Sequence, residues 1–413
     1  MENTPPSLPI KIDLAIIGAG PHALTLVTHL LQKRQSMQGK FLVFDPSGKW
    51  MSRWNQQFAA LEIPHLRSPA VHHPDPNHFG LRKFAENRST ELHVPYDLPG
   101  TQLFADFCQD VIQRFALQQQ VIPGLVTRIE PLPHPIHPRL RLWLQDGQSI
   151  IARRVVSATN SAKIQIPDWV NQIESAYPED RLCHSSSVDL RNLNLTGEKV
   201  LIVGGGLTSG HLAVGAISRG AKVHLIMRRQ MQEKLFDAEP GWLGPKYLKG
   251  FFAEQDYQKR FDMIVQARNG GSMTLEMGMQ LRRQAHSGNL KIEENCQIVK
   301  ASFLGENWRV ECSDGSQDEC SRIWLSTGTK FDATSEALLK EVFAAYPIKI
   351  VNNLPVLDEH LRVPACELFL MGGLAALQVG PTARNLSGAR MASEKIVPAI
   401  VKSSLALSHL ISA

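Results

Sequence analysis

The sequence lacks the cysteine patterns that support disulfide-exchange chemistry or a zinc site. Its six cysteines in 413 residues form no Cys-x-x-Cys pair and no cysteine–histidine cluster with metal-binding spacing. This excludes an enzyme that works through two closely spaced redox cysteines. We predict six reduced thiols in a cytoplasmic protein and no structural metal.

Long apolar runs and blocks of like charge are also missing. No apolar stretch reaches the length of a membrane span, and the N-terminal "MENTPPSLPIKI" lacks the basic-then-apolar layout of a secretion signal. The net charge of +5 is spread along the chain, which argues against a nucleic-acid partner. An apolar content of 43% is ordinary for a globular protein, and this length accommodates two or three domains.

The stretch "IDLAIIGAGPHALTLVTHLL" reads as a strand, a glycine turn and a helix. Gly18 allows a tight turn, Gly20 lets a pyrophosphate approach the backbone, and the small Ala23 lets the helix pack closely on the strand. Pro21 suits the first helical turn, where a missing N–H costs nothing. The next strand, "KFLVFD", ends at Asp45, whose carboxylate accepts hydrogen bonds from a ribose and repels a 2′-phosphate. The pattern predicts a site for a dinucleotide without that phosphate.

A second unit, "KVLIVGGGLTSGHLAVGAISRGAKVHLIMRR", repeats the pattern with a different charge. Gly204, Gly206 and Ser209 form its turn, but its second strand ends in Arg228 and Arg229 rather than in an acid. Guanidinium groups there neutralise a 2′-phosphate, which predicts NADPH. The alternative is that both arginines form a solvated basic edge.

Two such sites in one chain predict a resident FAD and an NADPH that reduces it, because hydride transfer needs donor and acceptor in contact. The expected fold is α/β, with two Rossmann-like dinucleotide-binding domains of the three-layer ββα type. The NADPH domain is expected as an insertion in the FAD domain. The predicted boundaries are 1–165 (FAD domain, first part), 190–325 (NADPH domain, with a helical insert at 231–289) and 326–413 (FAD domain, closing part).

The regions between these units carry weaker signals. "IPHLRSPAVHHPDPNHFG", residues 63–80, is dense in proline and histidine and predicts an ordered loop. Its histidines lack metal-binding spacing, so we expect loop or flavin-pocket residues rather than a metal site. Apolar residues between 103 and 115 have helical spacing, and the Asp-Gly turn within 139–159 predicts a small antiparallel meander.

The layout resembles the class B flavin monooxygenases, especially the branch that N-hydroxylates ornithine and lysine. The motifs that carry the resemblance are "IIGAGPHAL", "VLIVGGGLTSGHLA", the domain hinges "VVSATNSAKIQIP" and "WLSTGT", and the closing FAD segment "LFLMGGLAALQVGPTARNLSGARMASEKI". In the first hinge Asn160 replaces the usual glycine. The segment "DAEPGWLGPKYLKGFFAEQDYQKR" resembles part of the N-hydroxylating enzymes. "ARNGGSMT" and "PHLRSP" stand where those enzymes carry Thr-Asn-Tyr and Met-Gln elements, which argues against an amino-acid substrate such as ornithine.

The resemblance implies further site residues. Arg67 and Ser68 are implied close to the flavin, where Arg67 would stabilise negative charge on it; the alternative for Arg67 is an ion pair with an acid. Trp54 is implied over the isoalloxazine, with a core aromatic as the alternative. The remaining implied contacts are Gly373, Pro381 and Thr382 to FAD, and His184 and Ser185 to NADPH or, alternatively, to the hinge.

The activity that the resemblance implies is an NADPH-reduced FAD monooxygenase. It would transfer oxygen from O2, through a flavin C4a-hydroperoxide, to a nitrogen or sulfur centre of a small molecule. Two other functions stay open at this point. One is an NADPH:acceptor oxidoreductase that passes electrons to a quinone or a protein, and the other is a nucleotide-binding regulatory protein without turnover. A homo-oligomer is compatible with each.

Overall fold

The computed structural model describes residues 8–133, 138–159, 162–268, 270–402 and 405. Asn160 of the first hinge and residues 406–413 lie outside these ranges. Eleven α-helices occur in the described residues: α1 (Pro21–Lys33), α2 (Ser52–Ala60), α3 (Gly80–Phe84), α4 (Thr101–Arg114), α5 (Leu207–Ile217), α6 (Pro245–Ala253), α7 (Tyr257–Arg268), α8 (Leu275–His286), α9 (Lys340–Ala345), α10 (Ala376–Val379) and α11 (Leu386–Val401). None of these helices combines the length and apolarity that crossing a membrane requires.

The described residues also form 21 strands. In chain order they are β1 (Lys11–Ile17), β2 (Phe41–Asp45), β3 (Leu92–His93), β4 (Leu98–Pro99), β5 (Val121–Pro123), β6 (Val126–Leu132), β7 (Arg139–Leu144), β8 (Ser149–Ser157), β9 (Ala162–Ile164), β10 (Leu182–His184), β11 (Lys199–Val203), β12 (Lys222–Met227), β13 (Leu290–Glu294), β14 (Ile298–Phe303), β15 (Trp308–Cys312), β16 (Gln317–Cys320), β17 (Arg322–Leu325), β18 (Thr329–Phe331), β19 (Ile350–Val351), β20 (Leu354–Pro355) and β21 (Leu368–Leu370).

The first sheet has seven strands in the order β5-β2-β1-β8-β7-β6, and β21 joins it beside β8. Strands β5, β2, β1, β8 and β21 run parallel, and β6 and β7 are antiparallel. The inner strand β1 is buried at Leu14, Ala15, Ile16 and Ile17, as expected for a strand covered on both faces. The predicted Asp-Gly hairpin is confirmed between β7 and β8, with Gly147 at φ 86°.

The second sheet has five parallel strands in the order β10-β17-β11-β12-β13. Its strands come from residues 182–325, after which β21 returns to the first sheet beside β8. Strands β14–β16 form a separate antiparallel meander, and β9 and β18 form a two-stranded antiparallel sheet. The predicted fold class, with one dinucleotide-binding fold inserted in another, is therefore confirmed.

A buried ion network stabilises one face of the second sheet. His224 of β12 has a side chain that is 1% exposed, and its two ring nitrogens lie 2.6 Å from Asp318 Oδ2 and 2.7 Å from Glu293 Oε2. Both ring nitrogens therefore lie within hydrogen-bond distance of a carboxylate, and the ring links two acids of different strands. Lys199 pairs with Asp318 and Lys291 with Glu293, which balances the two acids.

We expect His224→Ala to lower the free energy of unfolding by about 3 kcal/mol, because it removes the buried centre of a charge network. Lys291→Ala provides the matched control. Its side chain is 62% exposed, so the loss of its ion pair costs less than about 1 kcal/mol. Urea unfolding of the two variants measures both free energies of unfolding. Equal values for His224→Ala and Lys291→Ala would show that the buried histidine contributes no more to stability than an exposed ion pair does.

Candidate functional site

The first glycine turn lies at the carboxyl end of β1 and admits no side chain at its first position. Gly18 has φ 95°, and its N–H donates to Phe44 O at 2.8 Å. A Cβ at Gly18 would lie 3.2 Å from Ala158 O, so both the backbone angle and the close approach of the next strand require glycine. The turn therefore joins the ends of β1, β2 and β8.

The second position of this turn opens onto free space. Gly20 caps α1 without a side-chain hydrogen bond to the helix, and Pro21 occupies the first helical turn as predicted. A Cβ added to Gly20 would meet no atom within 4 Å, whereas Ala23 is fully buried against the sheet. An uncapped helix N-terminus with space in front of it binds anions through its free N–H groups. These residues fit the pyrophosphate of FAD.

Asp45 lies at the carboxyl end of β2, beside this turn. Its Oδ2 accepts from Ala19 N at 3.1 Å, and its Oδ1 accepts from Ser47 N at 3.0 Å and from Ser47 Oγ at 2.6 Å. The carboxylate thus holds the turn in shape and stays partly exposed. A carboxylate has about four acceptor sites, so one remains for the ribose hydroxyl that the sequence predicts.

The second glycine turn follows β11 and excludes side chains more strictly. Gly204 has φ 146°, and a Cβ there would lie 2.3 Å from Ser326 O. Gly206 caps α5 without a side-chain hydrogen bond to the helix, and the nearest atom to an added Cβ is Gly271 Cα at 3.7 Å. This second uncapped helix N-terminus fits a dinucleotide phosphate, with residues 270–272 of the insert lying beside it.

Three residues predicted to contact NADPH are engaged within the protein. Ser209 is buried and donates from Oγ to Gly206 O at 2.6 Å, so its side chain stabilises the turn from the interior of the protein. His184, at the end of β10, accepts from Ser186 N at 3.2 Å through Nδ1, which caps a short 3₁₀ turn that includes Ser185. Burial lowers the pKa of His184. The alternative interpretation, hydrogen bonding at the hinge, accounts for these contacts, and a contact with NADPH stays a prediction.

The two arginines after β12 differ in their surroundings. Arg229 donates from Nη2 to Gly271 O at 3.0 Å and thereby fixes the loop beside the second turn. Arg228 is exposed, and its guanidinium forms no hydrogen bond or ion pair with any residue that the structure describes. Arg228 therefore has all of its N–H donors available for a 2′-phosphate, whereas Arg229 uses one of its donors to hold the loop.

The closing segment reaches the same edge of the first sheet through β21. A Cβ at Gly373 would lie 2.2 Å from the Phe331 ring, so this glycine is covered, whereas Gly372, with φ 73°, faces open space. Pro381 and Thr382 are buried at the turn before α11. The open glycine position of this segment is thus Gly372, which the sequence analysis did not select.

Trp54 lies on α2, with its ring stacked on Phe58 at a centroid distance of 4.5 Å and tilted against Phe104 at 5.9 Å. The ring is half-buried. One face therefore packs against other aromatic rings, which agrees with the core-aromatic alternative. A contact of Trp54 with the isoalloxazine stays a prediction.

Arg67 connects the proline-rich loop to the insert of the second domain. Its Nε donates to Leu235 O at 2.8 Å, and its Nη2 donates to Lys234 O and, at 3.0 Å, to Ser272 Oγ. Its Nη1 donates to Asp237 Oδ1 at 2.8 Å and to Ser272 O at 3.3 Å. All five N–H groups of Arg67 are thereby used. The alternative interpretation, an ion pair with an acid, describes these contacts, and the acid is Asp237. The stabilisation of negative charge on the flavin by Arg67 stays a prediction.

Asp237 extends this contact to the closing FAD segment. Its Oδ2 lies 3.2 Å from Arg268 Nη2, and Arg268 Nη1 donates to Pro381 O at 2.9 Å. We call Arg67, Asp237, Arg268 and Ser272 the arginine clasp. It joins three separate parts of the chain, and the sequence analysis missed it because its members lie far apart in sequence.

Ser68 and the loop histidines have local partners. Ser68 Oγ lies 2.9 Å from His72 Nδ1, and His73 Nε2 lies 3.2 Å from His78 O. Burial lowers the pKa of both His72 and His73 to about 4. These rings are neutral at physiological pH, and the role of Ser68 next to the flavin stays a prediction.

The clasp predicts an acid-sensitive domain contact. Burial acts to raise the pKa of Asp237, but Arg268, Arg67 and Arg384 outweigh it, so the pKa lies below the usual value for Asp. A carboxyl with a lowered pKa stabilises the fold above its unfolded pKa of about 3.9, and that contribution is lost as the pH falls through the folded value. We expect the melting temperature to fall more steeply between about pH 5 and pH 2 in the wild type than in Asp237→Asn.

Differential scanning fluorimetry across this pH range measures the effect. Asp262→Asn, which alters an exposed residue of α7, should follow the wild-type curve. If the melting temperatures of the wild type and Asp237→Asn fell equally with pH, the ionisation of Asp237 would not contribute to the stability of the fold.

Two sheets, each with parallel strands that lead to a glycine turn and an uncapped helix N-terminus, have the architecture of two dinucleotide-binding folds. Residues 15–161 match the model of a family described as FAD-NAD(P)-binding. This match covers the first glycine turn and strands β2, β5, β6, β7 and β8 of the first sheet. No curated protein has a significantly similar sequence.

Solved structures with the same fold include N-hydroxylating enzymes. The reduced form of ornithine hydroxylase from Pseudomonas aeruginosa superposes with a TM-score of 0.76 at 17% identity, over 95% of this chain and 99% of that one. Ornithine N-hydroxylase from Kutzneria sp. 744 gives 0.75 at 17%, over 94% and 99%. Bacillithiol disulfide reductase from Staphylococcus aureus gives 0.57 at 14%, over 94% and 98%. At these identities the similarity establishes the fold that the resemblance implied.

Proposed function

We propose that the protein is an FAD-dependent, NADPH-reduced monooxygenase that oxygenates a nitrogen centre of a small molecule with O2. The observation that carries the proposal is the pair of dinucleotide turns with opposite charges beside them. Asp45 lies beside the first turn, and the unpaired Arg228 lies beside the second. The structural neighbours from Pseudomonas and Kutzneria are ornithine hydroxylases, and the latter structure is described with reduced FAD, NADP⁺ and L-ornithine.

Each part of the chain has a distinct task in this proposal. The free N–H groups at the start of α1 bind the pyrophosphate of FAD, and Asp45 binds its ribose. The start of α5 binds the pyrophosphate of NADPH, and Arg228 binds the 2′-phosphate. FAD, when bound, accepts electrons from the nicotinamide and activates O2. The arginine clasp holds the insert against the loop at residues 64–69 and so fixes the two domains relative to each other.

The cysteines argue against the mechanism of a dithiol reductase, although a disulfide reductase shares the fold. All six are free. Burial raises the pKa of Cys183 to about 11 and those of Cys312, Cys320 and Cys366 to about 12, so these thiols are poor nucleophiles. Free thiols also support the expected cytoplasmic location.

The fate of NADPH electrons tests the proposal. The FAD-loaded protein is mixed with NADPH, labelled O2 and a panel of primary amines and thioethers, and products are detected by mass spectrometry. The proposal predicts NADPH oxidation coupled to labelled oxygen in an amine product. If NADPH reduces the flavin and hydrogen peroxide is the sole oxygen product, the protein is an acceptor oxidoreductase instead. If NADPH does not reduce the flavin, the regulatory function is the remaining alternative.

A further inference from the structure

A turn in the closing FAD segment carries an arginine side chain without a partner. Arg384 lies two residues before α11, in a turn that is closed by hydrogen bonds from Ala383 N to Gly380 O at 3.1 Å and from Asn385 N to Thr382 O at 2.8 Å. Among the described residues, its guanidinium forms no hydrogen bond and no ion pair. All five N–H donors of Arg384 are therefore available to a ligand.

Three parts of the chain meet at this turn. Arg268, at the end of α7 in the insert, donates from Nη1 to Pro381 O at 2.9 Å and to Asn385 Oδ1 at 3.4 Å. These two contacts lie on either side of Arg384 in sequence, so the insert holds the turn. His22 of α1 has its ring Nε2 3.4 Å from Arg384 O, which places the turn beside the start of the helix that fits the FAD pyrophosphate.

The charges at this junction do not balance. Each carboxylate oxygen of Asp237 already accepts from one arginine of the clasp, Oδ1 from Arg67 and Oδ2 from Arg268. In the described part of the chain, Asp237 is the one acid that interacts electrostatically with Arg384, and no ion pair joins these two side chains. Three guanidinium groups therefore share one carboxylate, which leaves two positive charges uncompensated.

Arg384 lies in a cleft rather than on an open surface. The residue is exposed to solvent, but the surrounding protein lowers its pKa to about 10 by burial, Arg268 lowers it further, and Asp237 offsets only part of this. An arginine on an open surface loses little hydration and keeps its usual pKa. Water therefore reaches the guanidinium through a partly enclosed space, and a cleft of one charge sign with protein walls concentrates ions of the opposite sign.

We propose that Arg384 binds a phosphate group at this junction. Two uncompensated positive charges match a doubly negative phosphate or pyrophosphate, whereas a carboxylate would neutralise one of them. The planar guanidinium can bond two phosphate oxygens at once, and such charge-assisted hydrogen bonds are roughly twice as strong as neutral ones. The phosphate belongs either to the pyrophosphate of the resident FAD or to a second molecule that enters the cleft. The site is independent of the proposed oxygenation, because phosphate binding requires no turnover.

Two titrations of the full-length, FAD-loaded protein test the site and distinguish the two sources. The Kd for FAD is measured from the rise in flavin fluorescence on dilution, and calorimetry measures the binding of inorganic phosphate at an ionic strength held constant with chloride. If FAD supplies the phosphate, Arg384→Gln raises the Kd for FAD about tenfold, and inorganic phosphate does not bind. If a second molecule supplies it, the Kd for FAD is unchanged, and Arg384→Gln weakens the binding of inorganic phosphate about tenfold.

Two further variants separate the charge of Arg384 from an effect on the fold. Arg384→Lys keeps the charge without the two-pronged geometry, so its affinity should lie between those of the wild type and Arg384→Gln. Arg283→Gln removes an exposed arginine of α8 and should match the wild type in both titrations. The proposal is overturned if Arg384→Gln, with a wild-type circular dichroism spectrum, changes neither affinity, or if acetate binds the loaded protein as tightly as phosphate does.

Discussion

Gly20→Val should give a folded protein that no longer retains FAD. In the structure an added Cβ at Gly20 meets no protein atom within 4 Å, and the backbone has φ −83°, which a residue with a side chain adopts without strain. The same side chain fills the space in front of the α1 N-terminus that the pyrophosphate must enter. Loss of two charge-assisted hydrogen bonds at about 1.5 kcal/mol each predicts an affinity for FAD lower by about 100-fold.

Flavin absorbance after gel filtration, with circular dichroism for the fold, measures this effect. Gly250→Val is the matched control, because Gly250 lies on α6 and also has open space around its Cα. It should retain FAD as the wild type does. Wild-type flavin content in Gly20→Val would mean that FAD does not bind at the α1 N-terminus.

Arg228→Glu should remove the preference for NADPH over NADH. Arg228 is exposed and has no partner in the described part of the chain, so the substitution should leave stability unchanged. A guanidinium–phosphate contact contributes about 1.5 to 3 kcal/mol, and the new carboxylate repels the phosphate. We expect kcat/KM for NADPH to fall by at least about 100-fold and that for NADH to change little.

Steady-state flavin reduction with both nucleotides provides the measurement. Arg283→Glu reverses the charge at an exposed position on α8 and should leave both rates unchanged. Equal use of NADPH and NADH by the wild type would contradict the role of Arg228, as would an unaltered ratio in the variant.

The two glycine turns could be predicted from the sequence because the residues that define each turn are close together along the chain. In each, a buried strand, a glycine with positive φ and a helix with no side-chain cap follow one another without interruption along the chain. The charge at the next strand end, Asp45 or Arg228, lies at a fixed distance along the same unit. The structure shows Gly18 and Gly204 in the backbone conformations that the motif requires.

Features that depend on distant residues were not predictable in this way. Helix α2 was missed because its sequence, "SRWNQQFAA", is short and mostly polar and begins after Met51, whose backbone has φ 60°. The partners of Arg67 lie more than 160 positions away, and only the folded chain brings them together. Gly372 and Gly373 are adjacent in sequence, but the Phe331 ring determines which of them is open.

The central claim is that the first glycine turn keeps FAD bound, whereas the second binds NADPH, which supplies the electrons. An anaerobic titration of the FAD-loaded wild-type protein with NADPH tests it most directly, with the visible absorbance of the flavin as readout. The account predicts that the protein retains about one FAD per chain, by its single FAD-type turn, and that NADPH bleaches it stoichiometrically. Protein that is colourless and takes up no flavin on reconstitution would contradict the account.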